Sequence, residues 1–62
     1  MAQHKKTEVR EAILEGAFEL FSTQGYAATT LSQIAKSAGV SSGNIYIYFE
    51  SKLDILYAIY DP

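Results

Sequence analysis

The tetrapeptide Thr30-Leu31-Ser32-Gln33, with Gly39 a few residues on, marks both ends of one helix in advance. In a T-x-x-Q box the threonine hydroxyl and the glutamine amide satisfy reciprocal backbone donors, so Thr30 predicts a helix start. Glycine enters a left-handed turn without a Cβ clash, so Gly39 predicts the stop. The helix between them, Leu31 to about Ala38, is short. A chain punctuated this closely is restricted to brief helices packed on one another.

The rest of the sequence reads the same way. From Thr7 to Thr23, Val9, Ile13, Ala17, Leu20 and Phe21 recur at three- and four-residue intervals with Leu14 beside them, the period of a half-buried helix. Glu8, Glu11, Glu15 and Glu19 share the opposite face, which reads as solvated. Thr7 is the expected N-cap, Glu8 suits the helix dipole, and Gly25 ends the segment. Gly16 inside this helix costs about 1 kcal/mol relative to Ala, which the periodicity outweighs. Ser41 or Ser42 caps a third helix reaching about Tyr48 or Phe49, and Ser51-Lys52-Leu53-Asp54 caps a fourth. Ile45 to Phe49 are β-favouring types, but the flanking caps and the lack of a partner strand favour helix. The fold class is all-α, with residues 1–6 expected as a mobile tail and no internal repeat.

Composition excludes several functions. A chain of 62 residues buries only about 60% of its unfolded surface, too little for a large enclosed cleft. With no Cys and a single His, neither a disulfide framework nor a metal cluster is available, and no cofactor is expected. His4 lies in the tail and no carboxylate sits near Ser41 or Ser42, so nothing assembles a nucleophile, base and oxyanion site and the chain does not read as an enzyme. Apolar runs fall far short of the roughly 20 residues that span a bilayer, and residues 1–10 hold no signal-peptide core, so the expectation is no membrane and a cytoplasmic location. A net charge of −2 argues against nucleic acid until its distribution is considered. Glu8, Glu11, Glu15 and Glu19 precede residue 20, Glu50, Asp54 and Asp61 follow residue 49, and Thr29 to Tyr48 holds no carboxylate.

That acid-free stretch has the layout of a helix-turn-helix. Two short helices crossing steeply need a small residue at the contact, a glycine at the turn and apolar inner faces. Ala35, Gly39, and the set Ile34, Ala38, Val40 and Ile45 answer to these in turn. An αα-hairpin is the other reading of the same spacing; the combination favours the DNA-reading motif. Left outward on the third helix are Ser42, Gly43, Asn44, Tyr46 and Ile47, with Tyr48 near its end. Small uncharged polar groups suit phosphate oxygens and base edges, and the helix start adds free N–H groups for a phosphate. Asn44 can pair with adenine through two bonds, and Ile47 can lie against a thymine methyl. For Tyr46 and Tyr48 the competing role is amphipathic packing with the hydroxyl at the surface.

These residues reach a known family. Thr29-Thr30-Leu31-Ser32-Gln33-Ile34-Ala35, Ala38-Gly39-Val40-Ser41-Ser42-Gly43-Asn44-Ile45-Tyr46 and Tyr48-Phe49-Glu50-Ser51-Lys52 closely resemble the DNA-binding domain of the tetracycline-repressor (TetR) family of bacterial regulators. Ile13-Leu14, Ala17, Leu20-Phe21 and Gly25-Tyr26 extend the resemblance, which covers about residues 9–60. It implies a three-helix head over residues 7–50 with the recognition helix, about 42–49, in the major groove. It further implies that residues 51–62 begin a connecting helix leading to a larger ligand-binding and dimerisation domain outside this chain.

By the same resemblance, Thr30, Ser42, Gly43, Asn44, Tyr46 and Lys52 match positions that meet phosphates or bases. Tyr48 stands where the family often has histidine, and Ile47 at a variable position that helps set sequence preference. With the capping Ser41, these nine residues are the expected DNA-binding set. The implied function is sequence-specific binding to double-stranded, palindromic DNA by a ligand-responsive regulator, most simply a repressor, acting as a homodimer with its small-molecule inducer bound elsewhere. Length departs from the family, whose members run to roughly two hundred residues, and the chain reads as a fragment over a naturally minimal protein. Leu53, Ile55, Leu56, Tyr57, Ile59 and Tyr60 cover nearly every side of the fourth helix, so the rival function is a small helical interaction module docking through it.

Overall fold

The structure, a computed structural model, describes residues 6–60, with side chains from Glu8 onward. Four helices follow in order: α1 (Lys6–Gln24), α2 (Leu31–Ala38), α3 (Ser42–Tyr48) and α4 (Lys52–Tyr60). No strand occurs among the described residues, and of the β-favouring run Ile45 to Tyr48 are helical. The expected tail lies outside the described residues apart from Lys6, which already belongs to α1. Thr7 therefore sits inside the first turn and is not the cap, because the helix continues N-terminal to the periodic apolar residues that the sequence pattern could locate.

The punctuation of α2 forms as its residues dictate. Thr30 is extended (φ −109°, ψ 159°), its Oγ1 accepts from the Gln33 amide at 3.1 Å, and Gln33 Oε1 accepts from the Thr30 amide at 3.1 Å. At the other end Gly39 is left-handed (φ 77°, ψ 27°). The Gly39 amide donates to Lys36 O at 3.2 Å and the Val40 amide to Ala35 O at 2.9 Å, the paired bonds of a Schellman ending. Ser41, not Ser42, caps α3: its Oγ accepts from the Asn44 amide at 3.2 Å. Phe49 leaves the helix extended and buries its ring, after which Ser51 Oγ accepts from the Asp54 amide at 3.3 Å to start α4.

Each helix sends one isoleucine to the centre. Ile13, Ile34, Ile45 and Ile55 are all fully buried, joined by Ala17, Phe21, Ala35 and Phe49. Burying such a side chain contributes about 1.5–3 kcal/mol, and in a chain this short these few residues carry the fold. Ala38 and Val40 pack at the margin of this core, completing the inner faces expected for α2 and its turn. Arg10 of α1 lies 5.5 Å from the Phe49 ring centroid, a cation–π contact that holds the exit of α3 to α1.

Gly16 acquires a reason that its helix propensity hid. A Cβ built there would lie 2.9 Å from Ser37 Oγ and 3.1 Å from Ser37 Cβ, so the missing side chain is what lets α1 and α2 approach. Glycine is costly inside a helix and cheap where two backbones meet.

A candidate nucleic-acid interface on α2 and α3

The only buried residue of α3 is Ile45, and that one anchor decides what the helix presents. With Ile45 inward, Ser42, Gly43, Asn44, Tyr46 and Ile47 are exposed, Ile47 to 71% and Tyr46 to 57%. An isoleucine and a tyrosine so exposed on a seven-residue helix make an apolar contact surface beside small polar groups. The Asn44 side-chain amide has no hydrogen-bond partner among the described residues, which leaves its donor and acceptor for an external group. Tyr48 differs from Tyr46: it is half-buried against the core, so packing is part of its role. Ser41 is exposed but its oxygen serves as the α3 cap, leaving the hydroxyl proton to donate outward.

Charge favours the same surface. No carboxylate lies between Glu19 and Glu50, so α2, its turn and α3 carry Lys36 and no acid. The exposed carboxylates of Glu11, Glu15 and Glu19 stand on α1. A shallow groove there, lined by Ala12, Glu15, Gly16, Phe18, Glu19 and Ser37 among others, shares no residue with α3.

Lys52, distant in sequence, reaches the α1–α2 loop just before Thr30. The Lys52 ammonium donates to Tyr26 O at 2.8 Å and Thr29 O at 2.9 Å, and lies 4.2 Å from the centroid of the Tyr26 ring. From the α1 side, Gln24 Nε2 reaches Ala28 O at 3.2 Å, Thr29 Oγ1 at 3.3 Å and Gln33 Oε1 at 2.7 Å. Thr29, fully buried, closes the loop by donating to Gly25 O at 2.7 Å. Sequence reasoning singled out neither Gln24 nor the buried role of Thr29. A polar residue at a helix end carries no periodic signal, and its partners lie four to nine positions away.

The sequence profile of the family described as bacterial regulatory proteins, tetR family, matches residues 13–59, which include all of α2 and α3. The chain belongs to the tetR family. Among curated relatives it is 54% identical over 50 residues to the HTH-type transcriptional regulator HbdR of Aromatoleum sp. (strain CIB), covering 81% of this chain and 22% of that protein. It is 50% identical over 52 residues to the HTH-type transcriptional repressor BepR of Brucella suis biovar 1 (strain 1330), covering 84% and 25%. It is 46% identical over 54 residues to the HTH-type transcriptional regulator AcrR of Shigella flexneri, covering 87% and 25%. The chain thus spans about a quarter of the length of these relatives. No solved structure matches it. Members of the tetR family are DNA-binding regulators of transcription and not enzymes. Among the described residues there is also no metal-ligating cluster, and no helix is long and apolar enough to cross a membrane.

Proposed function

We propose that this chain is the DNA-reading head of a ligand-responsive transcriptional repressor, with α3 lying in the major groove. The observation that carries this reading is the exposure of Ser42, Gly43, Asn44, Tyr46 and Ile47 around a single buried Ile45, on a segment free of carboxylates. In this reading Asn44 and Ile47 meet base edges, Ser42, Gly43, Tyr46 and the hydroxyls of Thr30 and Ser41 meet the backbone, and Tyr48 supports the surface from its margin. Lys52 belongs to the same region through the loop that precedes Thr30. The assembly is a cytoplasmic homodimer on a palindromic operator, held together and switched by a small-molecule-binding domain outside these residues. Repression is favoured by the relative named as a transcriptional repressor.

Selection from a pool of random duplexes, read by gel shift, tests this. Enrichment of one defined sequence is the expected result. Equal, weak retention of every duplex would overturn base reading by α3. A second reading rests on α4, where Leu53, Tyr57 and Tyr60 are 43%, 62% and 66% exposed: a helical module that docks a partner through this face. It requires no DNA selectivity, so the same experiment separates the two.

A further inference from the structure

We infer that Lys52 and Gln24 are positioning residues for DNA binding, locking the loop from Gly25 to Thr29 and so setting where α2 begins. The inference rests on the reading of α2 and α3 as the DNA-facing surface. The loop holds itself partly together, through the Thr29 amide to Tyr26 O at 3.1 Å and the Thr29 hydroxyl to Gly25 O. Three of its carbonyls also accept from outside the loop. Lys52, the first residue of α4, takes those of Tyr26 and Thr29; Gln24, the last of α1, takes that of Ala28. Gln24 also grips Gln33 Oε1, the same oxygen that accepts from the Thr30 amide. Two helices therefore clamp one loop, and the clamp continues into the capping box that starts α2.

The Lys52 ammonium has three donors, of which two point at carbonyls while the charge lies over the Tyr26 ring. Two of its three donors are thus committed to holding the loop, a role that does not depend on whether the charge also faces DNA. Hydrogen bonds from a charged donor are the stronger class, so losing them frees the loop. The start of α2 then shifts, and with it α3, because Ile34 and Ala35 pack in the same core as Ile45. A binding surface misplaced by about 1 Å loses its contacts.

The test compares the full chain with Lys52→Met, Gln24→Leu and the double variant. Affinity for the duplex selected by the parent is measured by fluorescence anisotropy over a range of salt, and amide hydrogen exchange is followed at Thr29 and Thr30. Each single substitution, which removes more than one bond to the loop, is expected to weaken binding about tenfold, with an unchanged salt slope in Gln24→Leu. The double variant is expected to lose less than the product of the two, because both act on one loop, and exchange at Thr29 and Thr30 to quicken in all three. Gln24→Leu keeps the proposal testable should Lys52→Met fail to fold, since it changes no charge. A salt slope reduced by about 0.9 in Lys52→Met, with Gln24→Leu binding like the parent, would make Lys52 a phosphate contact and overturn the inference. Failure of the parent to select any duplex overturns the DNA-binding reading instead. The exchange data then still decide the clamp, which unchanged protection in both single variants would refute.

Discussion

Asn44 and Gly39 show how little a single residue needs to do once its neighbours hold it in place. Asn44 projects an unpaired amide from a helix fixed by Ile45 and capped by Ser41. Asn44→Ala is expected to cost about 1–3 kcal/mol on the selected duplex and much less on random DNA, a difference that parallel titrations would reveal. Equal losses on both would remove Asn44 from the base-reading set. Gly39 acts through its backbone alone: its φ of 77° lies in the left-handed region, and a Cβ there would meet nothing within 4 Å. The penalty of a substitution is thus purely conformational, so Gly39→Ala should cost about 1 kcal/mol and Gly39→Val more, with Gly39→Asn closest to the parent in thermal melting. A clash would instead have ranked these variants by size.

At the scale of elements, α2, α3 and α4 survive by packing because each is too short to persist alone in water. The seven-residue α3 depends on Ile45, and Ile45→Ala is expected to lower stability by about 2–5 kcal/mol, which in so small a head unfolds most molecules. Circular dichroism would register this as loss of helix at room temperature. The α1–α2 contact depends on Gly16 in a different way. Gly16→Val adds a β-branched side chain where even a Cβ is 3.1 Å from that of Ser37, so overpacking should cost about 1–3 kcal/mol despite the gain in helix propensity. A variant melting at or above the parent would show that Ser37 yields freely and that the helices need not approach so closely.

For the whole molecule, charge is separated: exposed carboxylates stand along α1, while α2 and α3 carry none. With only Lys5, Lys6, Arg10, Lys36 and Lys52 as cations, one head attracts DNA weakly. Joining two heads makes the second contact intramolecular and raises avidity by roughly 10² to 10⁴ with no new contact. The 62-residue chain is therefore expected to bind a half-site weakly, and the same chain linked as a dimer to bind a palindrome far more tightly. Sedimentation must accompany the titration, since exposed Leu53, Tyr57 and Tyr60 on α4 offer a surface for self-association. Tight one-to-one binding by a monomer to a non-palindromic site would refute the two-headed arrangement.

The sequence by itself determined the helices, their order and the faces they bury, because those depend on signals within a few residues of one another. The capping box at Thr30, the left-handed Gly39 and the spacing of Ile13, Ala17 and Phe21 are local chemistry, and local chemistry is legible without a fold. The outward set on α3 was legible for the same reason, once Ile45 was read as its inward residue. Where α1 begins was not, since the periodic pattern that locates the helix starts only at Val9. Tertiary structure alone decided that Gly16 marks a close approach to Ser37, that Tyr48 is partly core while Tyr46 is not, and that the Lys52 ammonium turns to the carbonyls of Tyr26 and Thr29. Each of those outcomes depends on a partner more than twenty positions away or on the shape of the assembled core. Steric room and hydrogen-bond partners of that kind come into being only when the helices meet.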